Sequence, residues 1–237
     1  SINPNGIEHA LPEEGDYSPE FTRVKQLADN ARESGQEIVV VLGVGFVGSV
    51  MAAIVADTED KNGKSPKFVI GVQRPSVRSY WKIPMLNKGE SPVKAEDPEV
   101  EPMIRRCVLE KKTLIATFNN EALSLADVIV VDVQCDYAKA DLGNVKTGKV
   151  EMKALEESFK TMAENISPEA LVLIEPTVPP GTTENIAYPI MKKIFLTRGI
   201  EKDPLLAHSY ERVMPGKDYV ASIRDFWRVC SGINSQS

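Results

Sequence analysis

Short runs of apolar residues recur along the chain, and segments with helical spacing lie between them. The first run, Glu37–Leu42, has five consecutive aliphatic residues and lies between two glycines. Such a run, rich in β-branched residues, is typical of a strand that is buried on both faces of a sheet. Later runs have the same character, so we predict further strands at 67–72, 113–117, 127–132, 170–175 and 205–207.

The segments between the runs show the periodicity of amphipathic helices. The clearest is 150–166, in which Met152, Leu155, Phe159 and Met162 share one face. We predict further helices at 49–56, 102–112 and 183–196.

The N-terminal region has a different pattern. Residues 1–17 resemble a loose polar arm, after which Ser18 can cap a helix and Pro19 suits its first position. We expect this helix to end near Gly35. Residues 76–101 contain several prolines and are expected to be irregular.

Strands that alternate with helices predict an α/β fold. Parallel pairing and helices on both faces follow from that order, which gives a doubly wound sheet of about six strands. An N-terminal helical arm precedes this sheet.

Composition narrows the function without identifying it. The chain has 237 residues, of which 42% are hydrophobic and 26% charged, as in ordinary soluble domains. Its 34 acidic and 28 basic residues give a net charge of -6, which argues against nucleic acid as the main partner. No apolar run approaches the roughly 20 residues of a membrane span, and the polar start is no secretory signal. Cys107, Cys135 and Cys230 are too far apart for a zinc motif, so we expect a cytoplasmic protein without a bound metal.

One glycine motif lies where a strand passes into a helix. Residues 43–48 read G-x-G-x-x-G, a pattern that is informative only in this context. Gly43 permits the tight turn, Gly45 lets the backbone approach a pyrophosphate, and Gly48 lets the helix pack closely. The helix dipole and free amides then face the phosphates. We predict a Rossmann-like dinucleotide site that includes Phe46 and Val47, although a glycine-rich turn without a ligand remains the alternative.

The second half of this fingerprint is altered. An acid that holds the ribose hydroxyls is expected about 20 residues on, at the end of the second strand. The chain has Gln73 there, followed by Arg74 and, after a short gap, Arg78. Gln73 can bond a hydroxyl, and the two arginines can meet a 2′-phosphate. We therefore predict NAD as the cofactor and leave NADP open.

From residue 37 onward, the order and spacing of several segments resemble the N-terminal region of the UDP-glucose/GDP-mannose dehydrogenase family. The matching segments are 43–48, 87–92, 127–131, 175–184 and 211–216. The last reads Glu-Arg-Val-Met-Pro-Gly and is similar to the branch that oxidises UDP-N-acetylhexosamines, that is, mannosamine or glucosamine derivatives.

The resemblance implies an enzyme of polysaccharide biosynthesis that oxidises the C6 alcohol of a nucleotide-sugar to a uronate and reduces two NAD. A cysteine would hold the aldehyde between the two steps. By the same resemblance, Thr177 lies near the nicotinamide, Glu211 lies beside the substrate, and Val133 and Glu175 border the cofactor. Thr177 as a turn hydroxyl and Glu211 as a surface acid remain the alternatives. The family also implies a homodimer.

The chain departs from the family at several points. Tyr210 stands where a proline is usual, and 134–136 replaces the usual Thr-Pro. The family's catalytic cysteine, catalytic lysine, dimer helix and C-terminal domain lie downstream of the residues present. We expect Cys230 to be packed as a small hydrophobe, Cys135 to lie in a loop beside the cofactor, and His208 to be structural.

These observations lead to a division of the chain and to two rival functions. We predict an arm and helix at 1–36, a dinucleotide-binding domain at 37–216, and the start of a connection at 217–237. Such a chain would bind cofactor but would not turn over the sugar alone. The rivals are a hydroxyacid or 6-phosphogluconate-type dehydrogenase and a non-catalytic dinucleotide-binding module.

Overall fold

The strands of the protein were located in a computed structural model, which describes residues 1–139, 148–214 and 216–237. In chain order they are β1 (Glu37–Leu42), β2 (Lys67–Val72), β3 (Leu114–Thr117), β4 (Val128–Val131), β5 (Asp136–Lys139), β6 (Gly148–Glu151), β7 (Leu171–Ile174), β8 (Leu205–His208) and β9 (Ser231–Gly232).

Seven of these strands form one sheet in the order β3-β2-β1-β4-β7-β8-β9. Its first six strands are mutually parallel, and β9 joins the edge antiparallel to β8. β5 and β6 form a separate antiparallel pair. Because the six predicted strands are all present and parallel, the prediction of a Rossmann-like doubly wound α/β fold is confirmed.

The helices cover both faces of the sheet. They are α1 (Glu14–Glu33), α2 (Phe46–Asp57), α3 (Lys82–Asn87), α4 (Val100–Arg105), α5 (Lys153–Asn165), α6 (Tyr188–Thr197) and α7 (Tyr219–Asp225). A π-helical turn, Arg106–Glu110, extends α4, and another, Thr183–Ala187, precedes α6. The 3-10 helix Asn120–Leu125 leads into β4.

β1 shows why the sheet is buried on both faces. Ile38 and Val40 pack into one apolar cluster with α1, α5 and α6, whereas Val39 and Val41 pack into a second cluster with α2, α4 and α7. Successive side chains of a strand point to opposite faces, so a continuous aliphatic run supplies both cores.

Several boundaries differ from the predictions. α1 begins at Glu14 and not near Ser18, because Asp16 accepts a hydrogen bond from the Glu13 amide at 2.8 Å and caps the helix earlier. The predicted helix at 150–166 begins only at Lys153, since Val150 belongs to β6.

Other elements were not predicted. The stretch 76–101, expected to be irregular, contains α3, and the C-terminal stretch 217–237 contains α7 and β9. The prediction that Cys230 is packed is wrong, because this residue is exposed just before the edge strand β9.

Over the described ranges, none of the helices is long and apolar enough to cross a membrane. The same ranges contain no group of His, Cys, Asp and Glu side chains that could hold a metal ion.

Candidate active site

The loop between β1 and α2 requires glycine at two of its positions. Gly43 has a φ of 104°, and a Cβ there would lie 2.7 Å from the backbone oxygen of Asp132. A Cβ on Gly48 would overlap the carbonyl oxygen of Gly43 and lie 3.0 Å from the Asp132 Cβ. These contacts bring the first turn of α2 directly against the ends of β1 and β4.

Gly45 is different, because a Cβ there would meet nothing within 4 Å. It is the N-cap of α2, with extended backbone angles, and no side chain of the described residues caps this helix end. The amides that begin at Phe46 therefore face open space at the positive end of the helix dipole. This cradle fits a pyrophosphate, as a dinucleotide requires.

Phe46 fixes the loop to the C-terminal part of the chain. Its ring stacks on Tyr219 of α7 with the centroids 4.9 Å apart and the planes at 11°. The Tyr219 hydroxyl also donates a hydrogen bond of 2.5 Å to the Phe46 carbonyl. Tyr219 is buried, whereas Phe46 is 43% exposed and Val47 is half-buried. One face of the Phe46 ring therefore packs on Tyr219, and the other face is exposed to solvent beside the loop.

A cavity of about 250 Å³ lies beside the loop, at the carboxyl ends of β1 and β2. Its lining comprises Leu42, Gly43, Val72, Gln73, Arg74, Asn120, Val133, Ala154, Glu157, Ser158 and Thr161. The structure therefore brings Gln73, Arg74 and Val133 together beside the glycine loop. Arg78 lies apart from this lining, exposed in the turn before α3.

Two carboxyl groups emerge side by side where β4 and β7 end. Val131 pairs with Ile174, so the next residues, Asp132 and Glu175, are neighbours at the sheet edge. The Glu175 side chain is 0% exposed and forms an ion pair with Arg228, which follows α7. Sequence reasoning missed Asp132 and Arg228. The position of Asp132 at a strand end was the available signal, whereas Arg228 is brought to the site by tertiary packing alone.

Burial governs the charge of the two carboxyl groups, Asp132 and Glu175. It raises the pKa of both carboxyls, and the proximity of Glu175 raises the pKa of Asp132 further. Arg228 opposes the effect of burial on Glu175. Within the described ranges, Asp132 Oδ2, Glu175 Oε2 and Arg228 Nη2 are buried without a hydrogen-bond partner. The two carboxyl groups therefore favour holding one proton between them, and the three unpartnered atoms can each form a further hydrogen bond.

Thr177 and Glu211 meet just above this cluster. The Thr177 hydroxyl donates to Glu211 Oε1 at 3.4 Å, and the Glu211 amide donates to the Glu175 carbonyl at 2.9 Å. Glu211 Oε2 accepts from the Val213 amide at 2.7 Å. Thr177 is exposed and Glu211 half-buried, so a ligand at the sheet edge can reach both. Pro215, in the motif at 211–216, lies outside the described residues.

The cysteines have three different environments. Burial raises the pKa of Cys107 to about 12, so this thiol stays protonated at neutral pH. Cys135 is half-buried and its Sγ donates to Met152 Sδ at 3.4 Å, while burial raises its pKa as well. Cys230 is exposed. His208 Nε2 lies 3.4 Å from the carbonyl oxygen of Pro176.

The fold and this edge define a Rossmann-type dinucleotide-binding domain with a polar site at the carboxyl ends of its strands. The chain belongs to the UDP-glucose/GDP-mannose dehydrogenase family, because residues 37–235 match its NAD binding domain. The predicted family and the predicted cofactor class, NAD, are thereby confirmed.

Three comparisons, one with a relative and two with solved structures, support this assignment. The UDP-N-acetyl-D-mannosamine dehydrogenase of Pyrococcus horikoshii is 29% identical over 199 residues, which are 84% of this chain and 42% of the relative. The crystal structure of NDP-N-acetyl-D-galactosaminuronic acid dehydrogenase from Methanosarcina mazei Go1 has a TM-score of 0.73 and 31% identity, covering 90% of this chain and 42% of that one. The structure of UDP-D-ManNAc dehydrogenase from Pyrococcus horikoshii has a TM-score of 0.67 and 26% identity, covering 84% of this chain and 42% of that one. The chain thus spans less than half the length of these relatives.

Proposed function

We propose that this chain is the cofactor-binding part of a nucleotide-sugar 6-dehydrogenase that oxidises a UDP-N-acetylhexosamine to its uronate. The observation that best supports this proposal is that the Thr177–Glu211 pair lies on the same edge of the sheet as the open cradle at Gly45. Support for the substrate class comes from similar proteins whose names refer to UDP-N-acetyl-D-mannosamine and NDP-N-acetyl-D-galactosaminuronic acid.

The cofactor contacts follow from the loop and the cavity. We assign the pyrophosphate to the loop amides and the adenosine half to the cavity beside Gly43. The proposed cofactor-binding residues are Gly43, Gly45, Phe46, Val47, Gly48, Gln73, Arg74, Arg78, Val133 and Glu175. Of these, Arg78 has the weakest support, because it lies apart from the cavity lining. NAD, when bound, accepts a hydride from the sugar carbon.

Thr177 and Glu211 are the proposed catalytic residues. Each oxidation removes a hydride and releases a proton from the C6 oxygen, and the second step also takes up a water. The Glu211 carboxylate can accept such a proton, and the Thr177 hydroxyl, which already donates to Glu211, can orient the reacting oxygen or the water. The full oxidation to the acid thus consumes two NAD and one water and releases three protons.

The remaining groups of the reaction belong to the rest of the enzyme. We propose that 1–36 forms an arm and helix, 37–216 the NAD-binding domain, and 217–237 the start of the connection. The C-terminal stretch presents apolar side chains to solvent, with Trp227 91% exposed and Val229 67% exposed, which suits a surface that further chain covers. A homodimer and a cytoplasmic location complete the proposal.

The test uses the full-length natural enzyme with UDP-N-acetylmannosamine or UDP-N-acetylglucosamine, and follows NAD reduction by absorbance. Glu211→Gln should lower the rate of sugar oxidation by about 10²–10⁴-fold and leave NAD affinity unchanged. The control is Glu201→Gln, at an exposed position before β8. An equal loss of rate and NAD affinity would instead give Glu211 a structural role. Sustained turnover by residues 1–237 alone would contradict the assignment of this chain as a part of the enzyme.

A further inference from the structure

An acid from α5 enters the cavity where the end of β2 lacks one. Dinucleotide-binding domains commonly hold the ribose hydroxyls with an acid at the end of the second strand. Here that position is Gln73, which lines the cavity beside Gly43. Glu157 lines the same cavity, and it is the only acidic side chain among the described residues of the lining.

The geometry of α5 puts Glu157 there. The buried face of this helix, with Leu155, Phe159 and Met162, packs into the core. The cavity is lined by a second stripe of the helix at i, i+3, i+4 and i+7, namely Ala154, Glu157, Ser158 and Thr161. Residues with this spacing lie on one side of a helix. The position of Glu157 is therefore fixed by the packing of α5 and not by a flexible loop.

Glu157 also contacts the one basic side chain among the described lining residues. Arg74 Nη1 lies 3.6 Å from Glu157 Oε2, and the two side chains are 77% and 47% exposed. An ion pair this long and this exposed contributes little to stability. Arg74 is thus held near the carboxylate but stays free to move toward another anion.

We propose that Glu157 performs the role of the missing acid and sets the preference for NAD over NADP. Its carboxylate accepts a hydrogen bond from the ribose 2′-hydroxyl of NAD and repels the 2′-phosphate of NADP, which carries about −1.5 to −2 charges. Its negative charge also offsets the positive charge of the neighbouring Arg74, so that the two side chains together attract the phosphate less than Arg74 alone would. The inference rests on the proposed cofactor site and deepens it.

Isothermal titration calorimetry with NAD and NADP on the whole chain tests this role. The unmodified chain should bind NAD at least about tenfold more tightly than NADP. Glu157→Gln should strengthen NADP binding by about tenfold, because it removes the repulsion and leaves the charge of Arg74 unopposed. The double variant Glu157→Gln with Arg74→Ala should lose most of that gain. Glu164→Gln removes the same charge from an exposed position of α5 outside the cavity lining and should change neither affinity.

The outcomes separate this inference from the proposed function. If the chain binds NAD and Glu157→Gln leaves the ratio of the two affinities unchanged, Glu157 does not set the preference. If Glu157→Gln weakens NAD and NADP equally, the carboxylate contacts a group that both share, such as adenine, and the inference is also overturned. Binding of neither dinucleotide by the unmodified chain would overturn the proposed cofactor site itself. Because Glu157 is exposed, thermal unfolding of the variants should match that of the unmodified chain.

Discussion

The two sides of the sheet's carboxyl edge are built differently. At the β1–α2 loop, the backbone makes the site, and the positive φ of Gly43 together with the overlap at Gly48 shows why glycine is required there. At the ends of β4 and β7, charged side chains make the site, and Glu175 depends on Arg228 from the C-terminal stretch. The comparison teaches that the shape of the glycine loop is specified by residues close in sequence, whereas the charged cluster at the ends of β4 and β7 depends on residues that are distant in the chain.

The largest effect is expected where a buried charge loses its partner. Arg228→Ala should lower the free energy of unfolding by about 3–5 kcal/mol, because it leaves the Glu175 carboxylate buried without a counter-charge. Urea unfolding would measure this difference. Arg224→Ala, which removes exposed ion pairs with Asp225 and Glu99, is the control and should change the free energy by less than about 1 kcal/mol. Adding Glu175→Gln to Arg228→Ala should restore part of the loss; the absence of any recovery would show that the pair is not the cause.

The second largest effect on stability is expected in the glycine loop between β1 and α2. Gly48→Ala should lower the free energy of unfolding by about 1–3 kcal/mol, because the new Cβ overlaps the Gly43 carbonyl and forces α2 away from β1. The same urea experiment applies. Gly15→Ala is the matched control, since Gly15 lies in α1 with nothing within 4 Å of its Cβ position, and this change should be neutral or slightly stabilising. Equal stability of the two variants would mean that close packing does not shape the loop.

The smallest effect depends on pH. Burial and Glu175 raise the pKa of Asp132 in the folded protein, so its protonated form is favoured there. The stability that this shift contributes is present below the unfolded pKa of about 3.9 and is lost as the pH rises toward the folded pKa. Asp132→Asn should therefore gain stability relative to the unmodified chain as the pH rises above about 4.

A second aspartate, Asp203, should show the opposite dependence of stability on pH. Its hydrogen bond with Lys192 lowers the pKa of Asp203, so the stability that this shift contributes is present above the unfolded pKa of about 3.9 and is lost as the pH falls toward the folded pKa. Asp203→Asn should therefore lose stability relative to the unmodified chain as the pH rises to about 5, and the difference should stay constant at higher pH. Thermal unfolding at several pH values would follow both variants. Parallel pH profiles for the two would contradict the assigned environment of Asp132.

The sequence predicted the elements whose signals are local. The glycine loop was predictable because a strand, a turn and a helix follow one another within a few residues, so each glycine has a role that its spacing indicates. Strand positions were predictable because β1 and its neighbours are aliphatic on both faces. The start of α1 was misplaced, because the capping residue Asp16 was not recognised as one.

Residues that meet through tertiary packing were missed. Glu157 reaches the cavity because α5 packs on the sheet beside β1, and Arg228 reaches Glu175 because α7 directs the chain back to the sheet edge. No residue spacing in the sequence predicts either of these tertiary contacts. Cys230 was expected to be packed because cysteines usually are, but it precedes the edge strand β9, where the side chains are exposed.

The most direct test of the NAD site is a calorimetric titration of NAD into this chain and into its Gly45→Val variant. Gly45 has extended backbone angles and open space at its Cβ position, so valine should leave the fold intact and lower its stability only by about 1 kcal/mol through the poorer N-cap. The unmodified chain should bind NAD, and the variant should bind it at least about a hundredfold more weakly, which corresponds to about 2.7 kcal/mol. Equal NAD affinity of the two folded proteins would contradict a pyrophosphate site at this loop.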